Sequence, residues 1–204
     1  VKLYKKLKAE TGLNPGFSVV GNLRMAQSQA RMDEYMLYAS TAETVGIPYE
    51  WLSPKEIKNR WPLVRTDDLI GAIYHPTDGY INPADLTQAM AKGARNKGVE
   101  ILRKCAATSY NWSGSEWIVK GSKMIESGGN LVASDEQFQI HAEHVITATG
   151  NHAQTTAKLL NIKLPAIPVE HQFIVTAQDK ELTAYRATNA EHPVLRDADA
   201  KWYV

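Results

Sequence analysis

The sequence predicts a mixed α/β fold, and three features of the chain support this prediction. A capped helix runs directly into the short apolar segment 99–102, as in the second half of a β–α–β unit. Strand-like segments between 108 and 140 are separated by Gly- and Ser-rich turns, which favours a small antiparallel meander. The apolar segment 144–150 then precedes a helical stretch at 153–160. The 204 residues suffice for one large domain or for parts of two.

The composition limits the classes of partner. With 23 Lys and Arg against 22 Asp and Glu, the net charge of +1 gives no electrostatic reason to expect nucleic acid or an anionic membrane. No apolar run approaches the roughly 20 residues that cross a bilayer. Cys105 is the single cysteine, so we expect neither an intrachain disulfide nor a metal site. The start at Val1, without Met, predicts that upstream sequence is missing.

Local signals predict the helices. Helices are expected at 2–10 and 29–45, each followed by a glycine. Ser53 and Glu56 form a capping box around a helix that starts at Pro54. The same reasoning makes Asn82 the N-cap of a helix that starts at the next residue and ends near Gly98.

Segments rich in β-branched and aromatic residues between turn signals predict the strands. These are expected at 17–26 with a bend at Gly21, and at 71–76, 99–102, 108–112, 116–121, 137–140, 144–150 and 167–176. The helix before 99–102 suggests that part of the sheet is parallel.

The small residues Ala148, Thr149 and Gly150 end one of the predicted strands. Without bulky side chains, this tip would let a cofactor approach the backbone at the carboxyl end of a strand, where ligands bind in open α/β sheets. An ordinary glycine turn would give the same pattern, so both interpretations stay open at this point.

Several motifs in the same order give a specific resemblance. They are His75–Leu86, Gly98–Ile101, Val145–Ala153, Pro165–Thr176 and Pro193–Tyr203, with weaker matches at Gly21–Ala26 and Arg31–Glu34. Together they resemble the D-amino-acid oxidase superfamily of FAD-dependent oxidoreductases. Within it, they are most similar to the dimethylglycine and sarcosine dehydrogenase and oxidase branch.

The resemblance implies a partial Rossmann-like domain for binding FAD or NAD(P), with an inserted β-meander, and a mixed-sheet substrate domain. Residues 1–84 and 163–204 would belong to the substrate lobe, and 85–162 to the later half of the FAD-binding domain. The implied reaction is oxidation of the C–N bond of an N-methylated glycine by hydride transfer to FAD. No Gly-x-Gly-x-x-Gly occurs, so we expect a fragment that lacks the N-terminal FAD motif and is inactive alone.

The resemblance also implies site residues. His171 and Tyr203 would line the substrate pocket as catalytic residues, because a histidine can hold a proton near neutral pH while the substrate nitrogen is neutral. A structural histidine and a packed terminal aromatic residue are the plain alternatives. The FAD contacts would come from five residues: Ala107, Ala148, Thr149, Gly150 and His152.

Two arginines are weaker candidates for binding the substrate carboxylate. A guanidinium fork on Arg24 suits that task, as does a surface salt bridge. For Arg196 we expect pairing with Asp197 or Asp199 in a structural turn.

Partners and alternatives complete the expectations. The partners would be an amine substrate and an electron acceptor, either oxygen or an electron-transfer protein, with a homo-oligomer left open. The location would be cytoplasmic, or the mitochondrial matrix in a eukaryote. The alternatives are a related FAD-dependent oxidoreductase acting on a hydroxy acid or glycerol 3-phosphate, and an inactive binding or assembly module.

Overall fold

The structure is a computed structural model that describes residues 2–204. Its helices are α1 (Lys2–Thr11), α2 (Gln29–Thr44), α3 (Pro54–Arg60), α4 (Pro83–Asn96), α5 (Ala153–Leu159) and α6 (Lys180–Arg186). Its strands are β1 (Phe17–Ser18), β2 (Asn22–Ala26), β3 (Glu50–Leu52), β4 (Gly71–His75), β5 (Tyr80–Ile81), β6 (Cys105–Trp112), β7 (Trp117–Ser127), β8 (Asn130–Ala142), β9 (Val194–Asp197) and β10 (Trp202–Tyr203). Across the described residues, every helix is too short or too polar for a bilayer crossing.

The chain divides into two compact units. Val1–Val99 joins Thr176–Val204 in the first unit, and Glu100–Val175 forms the second. The predicted roles of the two lobes stay a prediction.

A five-stranded sheet organises the first unit. Its strand order is β10-β9-β2-β4-β3, and neighbouring strands are antiparallel except for β2 and β9, which are parallel. Strands β1 and β5 form a separate antiparallel pair. The mixed topology agrees with the mixed α/β fold that the sequence predicts.

The central strand β2 is buried on both sides because its side chains alternate between the faces of the sheet. Leu23 and Met25 point into one core cluster, in which Leu195 of β9 is also almost inaccessible to solvent. Ala26 and Ile73 lie on the other face, where residues of α2 cover them. Helix α2 therefore covers the apolar residues of that second face, and the polar side chains of Asn22 and Arg24 lie on the same face.

The predicted helix starts are confirmed in detail. The Ser53 side chain accepts from the Glu56 N–H, while the Ser53 N–H donates to the Glu56 carboxylate at 2.8 Å. Asn82 Oδ1 accepts from the two backbone N–H groups of Ala84 and Asp85, at 3.0 and 3.2 Å. Each set of bonds satisfies N–H groups that have no partner within the helix.

Gly21 forms the predicted bend between β1 and β2. Its φ of +87° lies in the left-handed region, and an added Cβ would fall 2.2 Å from the Tyr74 hydroxyl. Both the conformation and the space therefore require glycine at this position.

Two carboxylates attach the β9–β10 hairpin to the start of α2. Asp197, only 2% exposed, accepts from Gln27 Nε2 at 3.0 Å and from the Ala200 N–H at 2.8 Å. Asp199 accepts from the Gln27 N–H and from Arg31 Nε, both at 3.0 Å. These bonds fix the turn between β9 and β10, and so they fix the position of β10.

The second unit contains the predicted antiparallel meander, confirmed in the order β6-β7-β8. Its strands are longer than the sequence indicates, and Gly128 and Gly129 make the β7–β8 turn with φ of +58° and +79°. A register shift lies between Ala107 and Ser109 on β6. Helix α5 lies against β6.

Three predicted strands are wrong. Residues 99–102, 144–150 and 167–176 have no regular strand structure, and the expected β–α–β unit after α4 is not formed. Their apolar side chains include Ile146 and Phe173, which are 91% and 82% exposed. A strand needs a neighbour to bond its backbone groups, and among the described residues no strand pairs with these segments.

The hairpin attachment predicts a specific acid sensitivity. Burial alone would raise the pKa of Asp199, but the bonds from the Gln27 N–H and the Arg31 guanidinium hold it below its ordinary value. A lowered pKa in the folded state stabilises the protein above the unfolded pKa, about 4, and this stabilisation is lost as the pH falls through the folded pKa.

We therefore expect Asp199→Asn to destabilise the protein near neutral pH and to do so less at about pH 3, which lies below the unfolded pKa. Urea unfolding midpoints measured at both pH values would test this, with Asp135→Asn on the exposed part of β8 as the control. An equal effect of Asp199→Asn at both pH values would contradict the expectation.

Candidate functional site

The predicted cofactor tip lies in the second unit, between β8 and α5. Residues 144–149 lead to a short 3-10 turn, Gly150–His152, which continues directly into α5. Gly150 has a φ of +52°, and an added Cβ would meet no atom within 4 Å. The glycine is therefore required by its conformation, and it leaves the backbone accessible on that side.

An open cavity of about 450 Å³ borders this tip. One side consists of Ala148, Thr149 and Gly150, and small residues of α5, including Ala153 and Ala157, line another side. The volume lies within the usual range of small-molecule sites, roughly 300–1,000 Å³. Neighbouring side chains therefore do not fill the space that the sequence predicts for a cofactor.

A hydrogen bond between threonine side chains holds the tip against α5. Thr156 Oγ1 donates to Thr149 Oγ1 at 3.0 Å, and Thr156 is only 7% exposed. The tip is thus attached to the helix through a side chain.

The other predicted FAD contacts have different environments. Ala107 is half-buried on β6, at the register shift and opposite Gly121. Because α5 lies against β6, the strand that carries Ala107 neighbours the helix that follows the tip. His152 ends the 3-10 turn, is exposed and makes no side-chain cap of α5. These roles stay predictions.

Larger cavities occur elsewhere but do not involve the predicted residues. A cavity of about 540 Å³ lies between α1 and α4 and is lined by Leu3, Leu7 and Met90, among others. Another, of about 560 Å³, borders the segment after α5. Neither is lined by a residue that the sequence predicts to contact FAD, so we attach the candidate site to the smaller cavity at the tip.

The two predicted catalytic residues belong to different units. His171 is exposed in the second unit, on a segment without regular structure. Tyr203 belongs to the first unit, where it lies on β10 opposite Arg196 and is 55% exposed. Their proposed roles therefore stay predictions.

Tyr203 ends a row of three registered residues. Arg196 of β9 pairs with Tyr203 on one side and with Arg24 of β2 on the other. Registered partners in a sheet share a face, so the three side chains project from the same side. The expected pairing of Arg196 with Asp197 or Asp199 is wrong, because Asp197 is on the opposite face and the Asp199 carboxylate binds Arg31.

Several buried polar atoms lie on this same face and were not predicted from the sequence. Arg24 Nε, Asn22 Oδ1 and His75 Nε2 are buried and have no hydrogen-bond partner among the described residues. The guanidinium carbon of Arg24 lies 5.1 Å from the ring centroid of Tyr38. No local motif reveals this group, since the pairing of distant strands assembles it.

Comparison with known proteins identifies the family. Residues 1–204 match the family described as "FAD dependent oxidoreductase", abbreviated DAO. The chain belongs to this family. The match confirms the predicted superfamily and the predicted cofactor, FAD. It also confirms the prediction that the family consists of FAD-dependent oxidoreductases.

Individual relatives give a finer comparison. The chain is 30% identical to human mitochondrial dimethylglycine dehydrogenase over 204 residues. This alignment covers 100% of the chain and 22% of the dehydrogenase. The chain is 28% identical over 207 residues to the mouse mitochondrial pyruvate dehydrogenase phosphatase regulatory subunit, covering 100% of the chain and 21% of that protein. The chain thus spans about a fifth of the length of these relatives.

A solved structure supports the fold class. The crystal structure of L-proline dehydrogenase from P. horikoshii matches 97% of the chain and 47% of its own length, with a TM-score of 0.74 and 24% identity. At this identity the similarity concerns the fold alone, and it confirms the predicted fold class.

The open tip leads to a testable prediction about FAD binding. In the whole protein, we expect Gly150→Ala to raise the Kd of FAD about tenfold or more, because a methyl group would separate the cofactor from the main chain. Gly128→Ala is a matched control. Gly128 has a φ of +58° and equally open surroundings, so both substitutions carry the same backbone strain, about 1–2 kcal/mol.

Titration of the protein, freed of flavin, with FAD would measure both affinities. Equal affinities in the two variants would exclude a close approach of FAD at Gly150.

Proposed function

We propose that the whole protein is an enzyme that oxidises the C–N bond of an N-methylated glycine, such as dimethylglycine or sarcosine. The observation that carries this proposal is the 30% identity, along all 204 residues, to a relative named dimethylglycine dehydrogenase. The matched length includes both predicted catalytic residues, His171 and Tyr203.

In this proposal the tip and β6 hold FAD. Ala148, Thr149, Gly150 and Ala107 offer main-chain groups, which suits a cofactor that is recognised without large side chains. The exposed tip and the cavity beside it are consistent with this role. His152 would lie next to the cofactor at the start of α5. Bound FAD would supply the redox chemistry by accepting a hydride equivalent.

The chain's own residues then prepare the amine. An ammonium group cannot release electron density from nitrogen, because its lone pair is bonded to a proton. We assign removal of that proton to an imidazole nitrogen of His171, since histidine is suited to proton transfer near neutral pH. The Tyr203 hydroxyl would orient the substrate by a hydrogen bond.

The remaining assignments belong to the same proposal. Residues 85–162 would be the later half of the FAD-binding domain, with 1–84 and 163–204 in the substrate lobe. Electrons would pass from the flavin to oxygen or to an electron-transfer protein. The relatives described as mitochondrial favour the mitochondrial matrix in a eukaryotic source.

One observation favours a second function. The relative described as a phosphatase regulatory subunit covers the entire chain at 28% identity, close to that of the dehydrogenase. The alternative is therefore a regulatory or assembly module that keeps the fold without oxidising an amine.

Anaerobic flavin reduction would distinguish these functions. We expect dimethylglycine or sarcosine to bleach the flavin absorbance of the whole protein, with release of formaldehyde after hydrolysis of the oxidised product. Glycerol 3-phosphate and a hydroxy acid should leave the flavin oxidised. Reduction by the hydroxyl substrates alone would contradict the proposal, and reduction by none of them would favour the regulatory module.

A substitution tests the assignment of His171. We expect His171→Gln to lower kcat/KM for dimethylglycine by about 10²-fold or more, because the side chain can no longer accept the substrate proton. The pH profile of kcat/KM should also lose one ionisation. His144→Gln, at an exposed position in the same unit, is the control. An unchanged pH profile with full flavin content would show that another group removes the proton.

A further inference from the structure

We propose that His192 is the centre of a pH-sensitive latch, which holds α6 to the core of the first unit while the imidazole ring is neutral. The latch consists of three stacked rings, those of Trp61, His192 and Tyr185. They come from three separate parts of the chain: the end of α3, the loop before β9, and α6. All three lie within the first unit, so the latch does not depend on the proposed oxidation of an amine.

The imidazole ring lies between two aromatic rings. The ring centroids of Trp61 and His192 are 4.3 Å apart with an interplanar angle of 28°. Those of Tyr185 and His192 are 4.4 Å apart at an angle of 22°. Nearly parallel rings at such distances are stacked in van der Waals contact, so both faces of the imidazole are covered.

The Trp61 side of the stack is fixed to the core. The indole Nε1–H donates to the Pro193 carbonyl at 2.9 Å, and Trp61 packs against the core cluster of β2 and β9. The next residue, Val194, donates its N–H to the Gly21 carbonyl at 3.0 Å. The bonds of Pro193 and Val194 therefore hold the chain directly after His192, and none of them involves α6.

The other side of the stack belongs to α6, a helix of seven residues. The hydrogen bonds at its two ends are local. The Asp179 carboxylate accepts from the Leu182 N–H at 2.7 Å, and the Tyr185 carbonyl accepts from the Asn189 side chain at 2.9 Å. A helix of two turns is unstable by itself in water, so α6 needs a contact outside its own segment. The stack of Tyr185 on His192 supplies such a contact.

The imidazole suits this stack only when it is neutral. His192 is 5% exposed, and neither ring nitrogen has a hydrogen-bond partner among residues 2–204. Protonation would add a positive charge and a second N–H donor to a ring that is away from water. A buried donor without an acceptor is costly, and a buried charge costs more. The π faces attract a cation, but the two N–H groups lie in the ring plane and stay unsatisfied.

The surroundings of the ring favour the neutral form. Burial is the main reason that the pKa of His192 lies below its ordinary value, and the positive charge of Arg186 on α6 lowers this pKa further. The carboxylate of Glu191, in the same loop, raises the pKa by a smaller amount. On α3, Arg60 precedes the tryptophan and is paired with Glu50.

The direction of the pH effect follows from the lowered pKa. Opening of the latch would expose His192 to water, where a histidine has its ordinary pKa of about 6.5. Because the pKa is lower in the closed latch, the latch is fully stable above about pH 6.5 and weakens as the pH falls below that value. We therefore expect α6 to open more often in mildly acidic solution.

Hydrogen exchange of the α6 amides in the whole protein, followed by mass spectrometry, would test the latch. After correction for the intrinsic pH dependence of exchange, the protection factor of residues 180–187 reports how rarely the helix opens. We expect this factor to fall about three- to tenfold from about pH 7.5 to about pH 5.5. Linkage to a histidine with an open-state pKa of about 6.5 allows at most about a tenfold change over this range.

Two substitutions separate the titration from the packing. His192→Phe keeps a flat ring in the stack without a titratable group, so we expect the same protection factor at both pH values. His192→Ala removes the central ring and should lower the protection about tenfold or more, again equally at both pH values. His144→Phe, at an exposed position in the second unit, is the control and should keep the pH dependence of the unmodified protein.

Each outcome supports or overturns the latch. A protection factor that does not change with pH in the unmodified protein would overturn it, as would a fall of the same size in His192→Phe. If His192→Phe does not fold, which circular dichroism would reveal, the pH dependence of His192→Ala decides in the same way. Unchanged protection of α6 in His192→Ala at neutral pH would show that the stack does not hold the helix.

Discussion

The parallel pairing of β2 with β9 is the contact on which the first unit depends. It joins the N-terminal half of the chain to residues near its C-terminal end, and it completes the core around Leu23 and Leu195. The same pairing sets the face on which Arg24 and Arg196 lie. Because side chains alternate along a strand, a shift of β9 by one residue would send Arg196 into the apolar core.

The carboxylates beside this pairing restrict the register further. Asp197 and Asp199 both bond to Gln27, which directly follows β2. A slipped register would leave Asp197, which is almost fully buried, without its donors, and a buried carboxylate without partners is strongly destabilising. Apolar packing and polar bonding therefore favour the same register, and the position of Tyr203 follows from both.

The sequence predicted the elements whose signals are local. The capping residues Ser53 and Asn82 identified two helix starts because each cap bonds to N–H groups within a few residues. Glycine turns likewise marked the meander. The predicted strands 144–150 and 167–176 were wrong because β-propensity describes a residue's suitability for a sheet and does not supply the neighbouring strand.

The candidate site, too, was predicted only where its residues are contiguous in the sequence. A contiguous run of residues identified the tip at Ala148–Gly150, and the structure places it beside a cavity. The arginine row escaped prediction because its members come from β2 and from the β9–β10 hairpin, which are far apart in sequence. The expected partners of Arg196 were adjacent in sequence, yet adjacent residues in a strand point to opposite faces, so proximity along the chain was misleading there.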